Sequence, residues 1–192
     1  MAIEILNVET VYKGWSSFMI ATVRLADGRT IRREIEHHGV AVVVLPYDPE
    51  RRTAILVRQF RAPVLYAENR QDMLEAIAGK LDETDPEAAT RREAMEEAGL
   101  KLGRLEAVGT VWSMPGISTE RMSLYLAPYT QADRIGPGGG LAEEHEDIIV
   151  VELPLAELAA AADAGRLIDL KTLVLTQASG CGGRSCLRSL RR

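Results

Sequence analysis

Gly79-Lys-Leu-Asp-Glu-Thr-Asp-Pro-Glu-Ala-Ala-Thr-Arg-Arg92-Glu93-Ala-Met-Glu96-Glu97-Ala-Gly99-Leu100 is the stretch on which the reading of this chain turns. Its second part spells out one helix. Asp85 stands at the N-cap, Pro86 at the first helical position and Gly99 at the stop, with good helix formers from Glu87 to Ala98. Between Asp82 and Glu97 lie seven acids and two bases, an excess of acid equal to the net charge of −5 of the whole chain. Glu93, Glu96 and Glu97 fall at i, i+3 and i+4, so they share one helical face and repel. They also occupy the last turn, where the helix dipole disfavours negative charge. Two local rules are broken together, and such breaches concentrate at functional sites. One remedy is a hard cation: Mg²⁺ takes oxygen ligands at roughly 2.0–2.1 Å, keeps several waters and suits a carboxylate set backed by substrate phosphates. The other is a solvated acidic face, partly balanced by the Arg92–Glu96 pair at i, i+4.

The rest of the composition narrows the setting. The 192 residues allow one domain with a small addition, and 46% hydrophobic with 27% charged residues is the balance of a folded chain. Aromatics make up only 5%, so Ala, Val, Leu and Ile must build the core. The net charge argues against a nucleic-acid coat. No apolar run approaches the ~18 residues of a membrane span, and the N-terminus does not read as a signal peptide. With Cys181 and Cys186 the only cysteines, no disulfide framework organises the fold, and a cytoplasmic protein without nucleic-acid or membrane partners is expected.

Outward from the helix the chain reads as strands and short helices. Ile3–Tyr12, Trp15–Leu25 and Thr30–Ile35, with a turn at Asp27-Gly28, predict an antiparallel hairpin region ahead of the main core. Val40–Tyr47 predicts a buried strand and Thr53–Phe60 its partner strand, joined by the Asp48–Arg51 turn. A short strand is expected at Leu74–Ile77, further strands at Leu105–Trp112, Arg121–Tyr129 and Ile148–Leu153, and helices at Pro154–Ala164 and Asp169–Gln177. Gly136–Gly140 reads as a flexible loop. The expected organisation is an N-terminal β region (1–38), a central domain (39–178) and a basic, solvated tail (179–192).

The quoted string resembles the Nudix box, the signature of Nudix hydrolases. Its second half, Arg92-Glu93-Ala-Met-Glu96-Glu97-Ala-Gly99-Leu100, is complete. In its first half Asp85 stands where the family has Glu, one residue closer to the Arg. Val57–Arg61, Glu75–Gly79, the Ser113–Glu120 segment with Pro115 sixteen residues past Gly99, and Leu141–Ile148 resemble the branch that cleaves ADP-ribose, GDP-mannose and related nucleoside diphosphate sugars. The resemblance covers residues 3 to about 177. It implies an α/β fold: an α/β/α sandwich around a mixed sheet, preceded by the N-terminal hairpin, which in this branch commonly crosses to a second subunit.

What the resemblance implies about chemistry is hydrolysis of a pyrophosphate with Mg²⁺, or Mn²⁺ in its place. Glu93, Glu96, Glu97, the Ala78 carbonyl and Glu146 are the implied metal ligands, Glu144 the implied general base, and Arg92 the residue that orients the carboxylates. His145 reads as an exposed neighbour. Arg33 and Arg61 match positions that hold phosphate or sugar, Trp15 or Phe18 offers a ring to the base, with core packing the preferred reading of Phe18, and Glu120 binds sugar hydroxyls or braces its loop. Arg58 reads as a strand-surface charge. A homodimer is expected, with Arg33 and Trp15 serving the partner's site. ADP-ribose would give AMP and ribose 5-phosphate; GDP-mannose would give GMP and mannose 1-phosphate. The competing reading is a non-catalytic Nudix-fold sensor of a nucleotide, against which an intact repulsive trio of glutamates argues.

Overall fold

The computed structural model describes residues 2–82, 84–141, 143 and 147–180. Two units divide the chain: Met1–Ala41 with Thr110–Met122, and Val42–Gly109 with Ser123–Arg192.

In the first unit, β1 (Glu4–Lys13), β2 (Ser17–Arg24) and β3 (Thr30–His37) form a three-stranded antiparallel sheet in that order. The expected hairpin is thus two hairpins sharing β2. The second turns at Asp27, whose carboxylate accepts hydrogen bonds from the Arg29 backbone N–H at 3.0 Å and from its Nε at 2.7 Å. Ala21, opposite Val8 and Arg33, is fully buried, whereas every residue of β1 is exposed. At its end β3 meets the Ser113–Glu120 segment. The Glu36 N–H donates to the Ile117 carbonyl at 2.9 Å, and the Thr119 N–H donates to the Glu36 carbonyl at 3.0 Å.

The second unit holds the greater part of a seven-stranded mixed sheet. Its central path runs β10 (Ile149–Pro154), β5 (Thr53–Gln59), β4 (Val40–Asp48), β9 (Arg121–Pro128), β8 (Glu106–Trp112), with β6 (Met73–Glu75) on β5 and β7 (Ile77–Lys80) on β4. Val42–Leu45 and Ala54–Val57 are buried at every position. Strands without a polar face need cover on both sides, as in an α/β/α sandwich. Val44, Ile55 and Val57 share a cluster with Ala94 and Ala98 of α2 (Pro86–Ala98), whose small residues admit close packing. Leu158 of α3 (Leu155–Asp163) and Leu175 of α4 (Leu170–Ala178) are fully buried as well. No helix among the described residues is long and apolar enough to cross a membrane.

Two details depart from the sequence reading. The single strand expected at Leu74–Ile77 is two strands broken at Ala76, because the Ala76 N–H leaves the ladder and donates to Thr172 Oγ1 of α4 at 2.6 Å. A short helix, α1 (Ala62–Glu68), was not expected. Pro63 opens it and Asn69 ends it in the left-handed region, but it buries no residue and so carries no apolar period to read.

The glycine loop 136–140 is tied down. The Gly139 and Gly140 N–H groups donate to the carbonyls of Glu97 and Glu96 at 2.9 and 3.1 Å, closing the C-terminus of α2. Gly138, at φ +68°, lies where a Cβ would come within 2.4 Å of the Glu97 carbonyl oxygen. Gly28, at φ +89°, has open space around it. Gly138→Ala is therefore expected to lower stability by about 3 kcal/mol, since positive φ and a backbone clash combine, and Gly28→Ala by only about 1 kcal/mol. Urea unfolding of the two variants beside the wild type measures the difference.

Candidate active site

The last turn of α2 carries the three clustered carboxylates. Asp85 caps the other end, accepting from the Glu87 N–H at 2.9 Å. This is the place of the residue that departs from the Nudix box: it starts the helix. At the C-terminus the repulsion between glutamates is met by Arg92, whose Nη2 lies 2.8 Å from Glu93 Oε1 and whose Nη1 donates to Glu96 Oε2 at 2.8 Å. A guanidinium held between two carboxylates neutralises part of the charge and fixes both rotamers. Glu97 turns inward. It is 2% exposed, and its Oε2 accepts from the Ala78 N–H at 3.3 Å.

β7 completes this arrangement. A Cβ on Gly79 would fall 1.8 Å from the Glu93 carboxyl carbon, so only glycine lets that carboxylate lie against the strand. Arg92 thus holds Glu93 and Glu96, while Glu97 meets Ala78. Their donors, carboxylate and backbone carbonyl oxygens, have the hardness that Mg²⁺ or Mn²⁺ requires. Among the described residues no three acidic, His or Cys side chains are by themselves gathered around a point. Glu144, His145 and Glu146, like Cys181, Cys186 and the basic tail from 181, lie outside the described residues.

Behind Ala78 lies a charge network whose centre has no assigned role in the sequence reading. Glu75 is 2% exposed. Its carboxylate accepts from Arg61 Nε at 2.8 Å and Nη2 at 3.1 Å, and it pairs with Lys171. Lys171 also donates to Asp169 at 2.9 Å, and Asp169 caps α4 by accepting from the Thr172 N–H at 3.0 Å. Burial pushes the Glu75 carboxyl up, but Arg61 and Lys171 outweigh it and hold it below its ordinary 4.5. Arg61 is lifted above its ordinary value by the same pairing, against burial. The signal was legible: one acid amid the apolar Leu74, Ala76 and Ile77 calls for a buried partner. Arg61 thus has a fork committed to Glu75, with Nη1 outside the pair. Arg58 pairs with Asp72 at 2.8 Å, as its reading as a surface charge expects.

The other expected substrate residues belong to the first unit. Trp15 is 80% exposed and stacks on His38, ring centroids 4.8 Å apart. Glu120 Oε1 lies 3.0 Å from His38 Nε2, and Glu36 Oε1 lies 2.6 Å from its Nδ1. Glu36 and His38 were not singled out from sequence, where nothing near them marks a pairing with residue 120. Arg33 lines an open cleft with Ile20, Gly116 and Ile117, its Nη1 donating to the Arg32 carbonyl at 2.9 Å. Phe18 is half-buried in β2.

Removing the buried acid has a calculable signature. Glu75→Gln leaves the Arg61 fork without its counter-charge and Lys171 with Asp169 alone, and is expected to cost about 3–5 kcal/mol at pH 7. Because the folded-state pKa lies below 4.5, this stabilisation is present above about pH 4.5 and is lost as pH falls through the folded value. Denaturation of both proteins at pH 7 and under acid conditions is expected to show the gap closing on acidification.

Residues 37–171 match the NUDIX domain. The GDP-mannose pyrophosphatase of Pectobacterium atrosepticum is 41% identical over 146 residues, covering 76% of this chain and 75% of that protein. That of Cronobacter sakazakii is 38% identical over 154 residues, 79% of this chain and 80% of the relative. The crystal structure of an ADP compounds hydrolase shares the fold with a TM-score of 0.75 at 19% identity, over 100% of this chain and 97% of the other. With its box on α2 and this match across most of its length, the chain belongs to the Nudix hydrolase family.

Proposed function

We propose that this Nudix hydrolase cleaves the pyrophosphate of a nucleoside diphosphate sugar with the help of Mg²⁺, for which Mn²⁺ can substitute, and that GDP-mannose is the first substrate to test, ahead of ADP-ribose. The observation that carries the reading is the complete Glu93/Glu96/Glu97 set beside Ala78. It stands in a chain 38–41% identical to proteins named GDP-mannose pyrophosphatase. Glu93, Glu96, Glu97, the Ala78 carbonyl and Glu146 would hold the ion. When bound, such an ion neutralises the diphosphate and acidifies a water.

The protein's own groups supply the rest. Glu144 takes the proton from the attacking water as general base. Arg92 keeps Glu93 and Glu96 in place. Arg61, its plane fixed by the Glu75 fork, presents its remaining nitrogen to a phosphate oxygen. In the homodimer Trp15 and Arg33 serve the partner's site, Trp15 stacking on the base and Arg33 meeting phosphate or sugar, and Glu120 binds sugar hydroxyls or braces its loop. In this reading the enzyme works in the reducing cytoplasm, as its two cysteines suit, on a small substrate and without nucleic-acid or membrane partners.

The reading includes a homodimer. β1 is an edge strand, and Ile5, Leu6, Val8, Val11 and Tyr12 are all exposed on it. An open edge with exposed apolar side chains is a surface that a second copy can cover. Light scattering is expected to give twice the mass of the chain, and Ile5→Lys/Val8→Lys to give a monomer. A wild-type monomer would overturn this part.

Activity is measured by phosphatase-coupled phosphate release from GDP-mannose and ADP-ribose. Chelation of the divalent ion is expected to stop turnover, and added Mg²⁺ to restore it. Glu97→Gln, which keeps shape and removes charge, should lower kcat by about 10³-fold with circular dichroism unchanged. Turnover of no nucleotide sugar, with the nucleotide still bound, would favour the sensor instead.

A further inference from the structure

His38 sits at the junction of three segments of the first unit. Its Nδ1 faces Glu36 Oε1 at 2.6 Å, on the end of β3, and its Nε2 faces Glu120 Oε1 at 3.0 Å, on the segment after β8. One face of its ring is covered by Trp15 of the β1–β2 turn, at 4.8 Å between centroids and 27° between planes. Glu36 also accepts from Ser118 Oγ at 2.7 Å and from the Ser16 hydroxyl. His37 points to Thr119 Oγ1 at 2.6 Å instead. The charged groups that face His38 are thus Glu36 and Glu120, with Ser16 and Ser118 as neutral partners of the cluster.

Ionised carboxylates only accept hydrogen bonds, so an imidazole between two of them must donate from both nitrogens, and a ring that does so carries a positive charge. A cation against the face of an indole is attracted by the ring quadrupole and restrains the indole from tumbling. The opposite face of Trp15 is open, the residue being 80% exposed.

We propose that His38 is a positioning residue: an imidazolium clamped by Glu36 and Glu120 that backs Trp15 and holds it as a platform for the substrate's nucleobase. The proposal rests on Trp15 stacking on the base, as above. Burial works against the charge on His38, but the bonds to Glu120 and Glu36 prevail and lift its pKa above the ordinary 6.5. While both carboxylates are ionised, the clamp is therefore complete below that raised value and is released as pH rises through it.

Two readouts test it, one without substrate. A protonated imidazole quenches a stacked indole, and Trp15 and Trp112 are the only tryptophans. In Trp112→Phe, emission should rise with pH in a transition centred above 6.5, and that transition should be absent when His38→Gln is added. Glu120→Gln removes one acceptor, and the transition should move to lower pH. With GDP-mannose and Mg²⁺, at a pH below the emission transition, His38→Gln should raise KM about five- to tenfold while kcat stays within about twofold, because only the platform is loosened. Emission that is flat with pH, or a transition that survives His38→Gln, would overturn the proposal, as would an unchanged KM in His38→Gln when Trp15→Ala raises it. An unchanged KM in Trp15→Ala would instead overturn the platform on which it rests.

Discussion

Three carboxylates crowd the negative end of α2, and the architecture of the second unit answers that crowding from several sides. Arg92 bridges Glu93 and Glu96. The Ala78 N–H meets Glu97. The N–H groups of Gly139 and Gly140 close the helix carbonyls, which reduces the negative end of the dipole where the glutamates stand. Gly79 lets the Glu93 carboxylate approach β7 without a side chain between them. The charges are held together at a cost, and a group that gains from concentrated negative charge, a divalent cation on a diphosphate, is what such a cluster suits.

The second ordering device is the chain of alternating charges Arg61–Glu75–Lys171–Asp169. It joins α4 to the β6–β7 break, and the Ala76 N–H bond to Thr172 adds a direct backbone tie two residues before Ala78. A buried pair of this kind is weak as a source of stability, yet breaking it is expensive, so it fixes geometry more than it adds free energy. The position of the Ala78 carbonyl is thereby set from α4, an element almost a hundred residues away in the chain.

Much of the frame was open to reading from the residues. The bounds of α2 follow from Asp85, Pro86 and Gly99, because caps act within one turn. β4 was legible as an unbroken apolar run and β5 as its partner strand, and α3 and α4 as short segments between Pro, Gly and Asp. α1 was not legible, since a helix that buries nothing leaves no period. The Ala76 break was hidden in an apolar run, because the sequence does not say that a threonine 96 residues later takes its N–H. The Gly136–Gly140 stretch looked merely flexible, as glycines do when only their own freedom is considered; in the fold they are there because backbone approaches backbone.

By itself the sequence determined the family, the helix that bears the glutamates and the alternation of strands and helices, all of which depend on residues within a few positions of one another or on a contiguous signature. Tertiary structure alone decided what those charges meet: Arg61 with Glu75, Lys171 with both Glu75 and Asp169, and His38 with Glu120 across a separation of 82 residues. Spacing along a chain fixes which side chains share a helix face or a strand face. Which buried charge finds which partner is fixed only when burial removes water as the alternative, and that happens in three dimensions.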